Sequence, residues 1–224
     1  KLVGINQHIG SLFMDGKPYV EGVKAILNIA KQFDDLEFVD LGGGFGIPYE
    51  KLNDQPRLDM VELGKQLDEV FEQFVKDYGK EITFKIEPGR YVSAECGVLL
   101  GTVTAVKHNG EDKYIGTDIG FNVLQRPVMY DSHHDIEVYN DSDNTEDVTV
   151  VGNICESGDI LAKHRICPEM HVGDTMAMLD AGAYGYCMAS NYNNRLRPAE
   201  VLIRENGEAV LVRERDELGD LTRH

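Results

Sequence analysis

Two periodicities divide the chain. Up to about Gly89, short apolar runs alternate with helical stretches. Residues 2–9 predict a strand, and Tyr19, Val23, Ile26 or Leu27 and Ala30 then recur at the spacing of one helix face. Residues 37–41 predict a second strand. Met60, Leu63, Leu67, Val70 or Phe71, Phe74 and Tyr78 form the longest helical stripe, and residues 82–86 predict a third strand. Strand, helix, strand, helix, strand at these intervals implies parallel pairing through right-handed crossovers, an α/β arrangement. Beyond Arg90 the period changes. Residues 92–96 suit one more helix, after which β-type runs at 98–107, 113–117, 148–152, 176–179, 199–203 and 209–213 are broken by Gly, Asn and Asp. Asn109-Gly110 and Asn206-Gly207 are hairpin signals. This half reads as a mainly antiparallel β domain. Residues 140–147 carry acids but lack the glycine a calcium loop needs at its sixth position, and read as a solvated surface loop.

The predicted strands of the first half share one peculiarity. They run into His8-Ile9-Gly10-Ser11, into Gly42-Gly43-Gly44-Phe45-Gly46 and into Glu87-Pro88-Gly89-Arg90. In a parallel array, residues just past the strand C-termini share the face where ligands bind. The glycine run lets backbone N–H groups approach an anion such as phosphate, or it is simply a tight turn. It is neither a dinucleotide fingerprint, which needs glycine where Ile47 stands, nor a P-loop with its Lys-Ser/Thr ending. Pro88 holds Glu87 extended, so that its carboxylate either bonds a ring N–H or pairs internally with Arg90. His8 is either a core histidine or a flat ring for stacking on a cofactor. In the β half, Cys155-Glu156-Ser157-Gly158-Asp159, Arg126-Pro127 with Tyr130, Gly182-Ala183-Tyr184 and Asn191-Tyr192-Asn193 each read singly as structural turns.

Composition narrows the partners. Asp and Glu number 39 against 22 Lys and Arg, a formal net charge of −17. That balance argues against nucleic acid and against an anionic membrane surface. Hydrophobic residues at 42% and charged residues at 27% are ordinary globular proportions. No apolar run approaches the ~20 residues of a membrane span, and no signal-peptide pattern opens the chain. Cys96, Cys155, Cys167 and Cys187 form no C-x-x-C pair. Neither a structural metal site nor a disulfide framework is therefore expected, and reduced thiols suit the cytoplasm. The chain opens on Lys1-Leu2-Val3-Gly4 without an initiator Met, as a piece of a longer polypeptide would.

Taken in order, HIGS, GGGFG, EPGR, RP-x-x-Y, CES-G-D, GAY and the closing Asn194-Arg195-Leu196-Arg197-Pro198-Ala199-Glu200 resemble the diaminopimelate decarboxylases. These are alanine-racemase-like, fold-type-III decarboxylases that use pyridoxal 5′-phosphate (PLP), and the resemblance extends over essentially the whole chain. It implies a (β/α)₈ barrel followed by a C-terminal β domain, homodimers with shared active sites, and decarboxylation of meso-2,6-diaminopimelate to L-lysine. It further implies that His8 stacks on the PLP ring. Ser11, the turn of Gly42, Gly43 and Gly44, Gly89, Arg90 and Tyr184 would surround the phosphate, and Glu87 would meet the pyridine nitrogen. The distal carboxylate of the substrate would go to Arg90, Arg126 and Tyr130, with Tyr184 also lining the substrate site. The distal amine would go to Glu156, and Cys155 would donate a proton into the partner subunit's site.

One departure limits the resemblance. The family carries PLP on a lysine near an early barrel strand end, in a Lys-Ala-Asn context. Here the Lys-Ala pair is Lys24-Ala25, followed by Ile26, inside the first predicted helix and after HIGS. A (β/α)₈ barrel takes ~250 residues, yet EPGR is complete by position 90. The expectation is therefore a C-terminal portion: residues 1–97 as the last strands and helices of the barrel, and residues 98–224 as the β domain with its substrate and dimer contacts. The cofactor lysine is expected to lie outside the chain, which alone would be inactive. The rival readings are a sibling decarboxylase acting on ornithine, lysine, arginine or carboxynorspermidine, and a catalytically dead regulatory relative.

Overall fold

The computed structural model describes residues 1–223. The chain divides into two compact units, Lys1–Ala94 and Glu95–His224.

In the first unit, β1 (Gly4–Asn6), β2 (Phe38–Gly43) and β3 (Thr83–Glu87) form a parallel sheet in the order β1-β2-β3. Helix α1 (Lys17–Ala30) joins the first pair of strands and α2 (Met60–Tyr78) the second. Pro18 stands in the first turn of α1, where its missing N–H costs nothing, and Asp15 Oδ1 accepts the Lys17 N–H at 3.0 Å. Asp59 caps α2 by accepting the Glu62 N–H at 2.9 Å, and Gly79 ends it in a left-handed conformation, φ 72°. The buried faces follow the predicted stripes: Tyr19, Val23, Ile26, Leu27 and Ala30 from α1, Leu63 and Phe74 from α2. They close over the central strand, whose Val39 and Leu41 are fully buried. Asp40, between them on the opposite face of the strand, is only partly buried, so burial alternates along the strand as far as Leu41. Phe71 and Phe74 of α2 meet Phe84 of β3 at ring distances of 4.1 and 6.0 Å.

β1 is shorter than residues 2–9 anticipate. Its ladder ends with Asn6 opposite Asp40, followed by a single bond from the Gln7 N–H to the Asp40 carbonyl, because the chain then bends away into the His8 turn. The helix expected at 92–96 begins earlier, as α3 (Gly89–Ser93), and continues as a 3₁₀ turn through Cys96.

In the second unit, a six-stranded sheet runs in the order β6-β9-β4-β5-β7-β8. Its members are β4 (Leu99–Asn109), β5 (Asp112–Thr117), β6 (Ile136–Tyr139), β7 (Thr145–Val151), β8 (Ile160–Pro168) and β9 (Thr175–Met178), with the short helix α4 (Arg126–Tyr130) between β5 and β6. The core beneath it holds Val103, Ile115, Leu124, Val148, Val150, Leu161, Met176 and Met178. A hairpin of β10 (Glu200–Ile203) and β11 (Ala209–Arg213) follows.

The pairing is antiparallel except between β5 and β7, which run parallel. Neither β6 nor β8 is among the runs read from sequence. Both lie at sheet edges, and β8 carries Lys163-His164-Arg165 at its middle, where His164 bends to φ 48° beside a register shift. An edge strand interrupted by charge and a bulge loses the apolar pattern that marks a strand. The segment 140–147 is likewise only partly a loop. Its last residues enter β7 at Thr145, and Asn140 is half-buried, donating to Asp174 Oδ2 at 2.7 Å and to the Glu169 carbonyl at 2.8 Å.

Candidate functional site

In the first unit the three glycine-rich turns converge. The chain beyond β1 continues alongside the glycine run: the Phe13 N–H donates to the Gly44 carbonyl and the Gly46 N–H to the Phe13 carbonyl, each at 3.0 Å. Gly43 stands opposite Glu87 in the β2–β3 register. Side chains at the glycines would pry these turns apart. A Cβ on Gly42 would lie 2.3 Å from the Gln7 carbonyl oxygen, one on Gly43 2.2 Å from that of Glu87, and one on Gly44 2.2 Å from that of Gly10. Gly42 and Gly44 also take φ of 70° and 97°, where glycine alone is at ease.

His8 is exposed, which rules out the core-histidine reading. Its Nδ1 accepts the Gly43 N–H at 3.3 Å, so the ring is oriented by the glycine turn. The Gly42 N–H goes to Asp40 Oδ1 at 3.0 Å. Arg90 reaches across the rim, donating from Nη1 to the Tyr49 hydroxyl at 2.9 Å and from Nη2 to Ser11 Oγ at 3.1 Å. Glu87 ends β3 with its side chain exposed. His8, Ser11, Gly42, Gly43, Gly44, Glu87, Gly89 and Arg90 thus occupy one neighbourhood. Tyr49 stands outside the motifs read from sequence; its signal is its place three residues beyond the GGGFG run.

The second unit holds the remaining candidates. Cys155 and Glu156 are exposed on the turn between β7 and β8. Beneath them Asp159 is 4% exposed and accepts two backbone N–H groups, from Phe121 and Ile154, each at 2.7 Å. Glu156 Oε2 lies 3.4 Å from the Tyr192 hydroxyl, and the Tyr192 ring meets Phe121 at 5.5 Å. Helix α4 runs beside this turn, since a Cβ on Gly158 would sit 3.7 Å from Val128 Cγ1.

Tyr130 is exposed at the end of α4, whereas Arg126 is buried, 3% exposed. The Arg126 guanidinium donates from Nη1 to His134 Nε2 at 2.8 Å and from Nη2 to Ser132 Oγ at 3.2 Å. His134 Nδ1 lies 2.7 Å from the Leu179 carbonyl, which can only accept. Nδ1 therefore carries the proton, and Nε2 is left as the acceptor Arg126 requires, so the imidazole is neutral. Tyr184 sits on a separate turn, 42% exposed with φ 58°, an uncommon backbone state for an aromatic residue. Of the four cysteines, Cys96, Cys155 and Cys187 are exposed; Cys167 is buried, and burial pushes its thiol up to about 11.

A parallel sheet whose strand ends mesh into one glycine-lined rim, followed in the chain by a mainly antiparallel sheet unit, defines a mixed α/β protein with its candidate ligand site at strand termini. The comparisons with known proteins are specific. Residues 27–182 match the family model described as pyridoxal-dependent decarboxylase, C-terminal sheet domain, and the chain belongs to that family. The diaminopimelate decarboxylase of Methanothermobacter thermautotrophicus is 41% identical over 229 residues, covering 99% of this chain and 53% of the relative. That of Archaeoglobus fulgidus is 42% identical over 226 residues, covering 98% and 52%. The M. jannaschii diaminopimelate decarboxylase, solved with L-lysine, superposes with a TM-score of 0.89 at 36% identity, covering 98% of this chain and 50% of that one. The chain spans about half the length of the relatives it matches.

Proposed function

We propose that this chain is the C-terminal half of a PLP-dependent diaminopimelate decarboxylase, a carboxy-lyase that releases CO₂ from meso-2,6-diaminopimelate to give L-lysine. The observation that carries the reading is the meeting of His8, the glycine turn, Glu87 and Arg90 at one rim, in a chain about 40% identical to proteins of that name. Two further features support a partial barrel. Among the described residues the parallel sheet has three strands with both edges open, and Ile86 on the outer strand β3 is 51% exposed. Parallel strands normally lie covered in a closed or sandwiched sheet.

The donor set fits PLP. A glycine turn with no Cβ in the way, a serine hydroxyl and a guanidinium suit a phosphate dianion, and an exposed carboxylate at the neighbouring strand end suits a protonated ring nitrogen. Ser11, Gly42, Gly43, Gly44, Gly89, Arg90 and Tyr184 would hold the phosphate, His8 would stack on the ring, and Glu87 would meet the pyridine nitrogen and favour its protonated form. When bound, PLP supplies a conjugated cation that takes up the electron pair left at Cα as CO₂ departs. Cys155 returns a proton to Cα, its S–H being the donor.

Substrate choice follows from charge. Arg90, Arg126 and Tyr130 take the distal carboxylate, Glu156 takes the distal ammonium, and Tyr184 lines the substrate site. Burying either charge unpaired costs several kcal/mol, so a site built for both rejects lysine and ornithine. The polypeptide works as a cytoplasmic homodimer, with Cys155 reaching the partner's site. The test is a product assay on the full-length protein with diaminopimelate, lysine and ornithine. CO₂ release from diaminopimelate alone is expected, and comparable turnover of the other two would overturn the substrate reading. Arg126→Ala is expected to lower kcat/KM for diaminopimelate about a hundredfold; unchanged kinetics would remove Arg126 from the site.

A further inference from the structure

The geometry points to Asp159 as a positioning residue that sets both Cys155 and Glu156, with Tyr192 as its second arm. The inference rests on the reading of Cys155 as proton donor and Glu156 as ammonium partner, and it adds what holds them in place. Ile154, whose N–H is taken by Asp159 Oδ2 at 2.7 Å, immediately precedes Cys155. The other oxygen, Oδ1, takes the Phe121 N–H at 2.7 Å and so ties the turn to the segment after β5. The backbone of Asp159 closes the loop from both sides: its carbonyl accepts the Gly152 N–H at 3.0 Å and its N–H donates to the Glu156 carbonyl at 3.1 Å. Cys155 and Glu156 are therefore flanked at both ends by bonds to one buried residue.

The fit leaves no slack. A Cβ on Gly152 would stand 2.3 Å from Asp159 Oδ2 and 2.5 Å from Gly120 Cα, so this packing requires glycine at 152. The second arm leaves from Phe121. Its backbone is fixed by Asp159, its ring packs on Tyr192, and the Tyr192 hydroxyl lies 3.4 Å from Glu156 Oε2. One carboxylate thus fixes the backbone before the thiol and the platform behind the acid. Burial pushes the Asp159 carboxyl up, opposed by the bonds from Ile154 and Phe121 and then by the charge of Arg195.

Asp159→Asn is the decisive variant because it keeps the shape and replaces one acceptor by an N–H₂ facing a backbone N–H. In the full-length protein, each cysteine is followed by mass spectrometry during alkylation with iodoacetamide, alongside steady-state decarboxylation of diaminopimelate. The labelling rate of Cys155 is expected to change about fivefold while Cys96 and Cys187 keep theirs, and kcat to fall about tenfold to a hundredfold. In a Cys155→Ala background the same substitution should lower kcat no further. A change common to all three cysteines, or an unaltered Cys155 rate with wild-type kcat, overturns the proposal. Wild-type kcat in Cys155→Ala alone would instead overturn the proton-donor reading, while the labelling still reports whether Asp159 holds the turn. Tyr192→Phe, which removes only the hydroxyl, tests the second arm should Asp159→Asn not fold. KM for diaminopimelate is expected to rise about fivefold at constant kcat, and an unchanged KM overturns that arm.

Discussion

Tyr19 shows what a residue's place in a pattern does and does not tell. Its position on the apolar stripe of α1 marks it for burial, and it is wholly buried, with its ring 4.9 Å from that of Phe13 and 5.0 Å from that of Phe45. Its hydroxyl has no hydrogen-bond partner among the described residues. Burial first, and then the charges of Asp40 and Glu87, hold that phenol well above its ordinary range. A buried unsatisfied hydroxyl is a cost to the folded state, so Tyr19→Phe is expected to raise stability by about 1 kcal/mol. The measurement is the midpoint of denaturant unfolding for the two proteins; a lower midpoint for the variant would mean that the hydroxyl is bonded. Nothing in the sequence reveals this deficit, because a hydroxyl's partners come from distant segments. His134 teaches the same lesson, since its neutral state depends on Arg126 and Leu179 meeting it from either side.

At the scale of elements, legibility follows how much of an element's signal is its own. α1 and α2 carry their caps and stripes within a single stretch of chain, and both were readable. β6 and β8 were not: each is an edge strand defined by its neighbour rather than by an apolar run. The segments flanking the β10–β11 hairpin depend equally on a distant pairing. Asp216 Oδ2 accepts from Arg197 Nε at 2.8 Å, from the Arg197 N–H at 3.0 Å and from Asn191 Nδ2 at 2.9 Å, and Oδ1 accepts from Arg197 Nη2 at 3.2 Å. Arg197 and then Asn191 hold the Asp216 carboxyl far below the usual carboxylate range. A carboxyl depressed in the folded state contributes stability that is fully present above its unfolded pKa, ~3.9, and is lost as pH falls below it. Solvent screening keeps the contribution to about 1 kcal/mol. Amide exchange in β10 and β11 should therefore accelerate as pH drops below about 4, once corrected for intrinsic rates, and Asp216→Asn should remove that dependence. Equal pH dependence in both proteins would detach the hairpin from this pair.

For the molecule as a whole, the place of Lys24 in the fold carries a test of the proposed function. Lys24, the residue of the Lys-Ala pair, is exposed on α1, where its Nζ lies 2.7 Å from Glu21 Oε1 rather than at a strand end. Supplied with PLP, the 224-residue chain is expected to gain no absorbance band of lysine-linked pyridoxal and to release no CO₂ from diaminopimelate. Either signal would place the cofactor lysine within the chain. No helix among the described residues is long and apolar enough to cross a membrane. What the sequence determined by itself was local and periodic: the two long helices, the three parallel strands and the special turns that end them, since spacing, caps and glycine act within a few residues. Only the tertiary structure decided what those turns touch. Gly43 beside Glu87, Arg90 across to Ser11 and Asp159 bonded to the Phe121 N–H are contacts between segments far apart in the chain, fixed by sheet register and packing rather than by any neighbour in sequence.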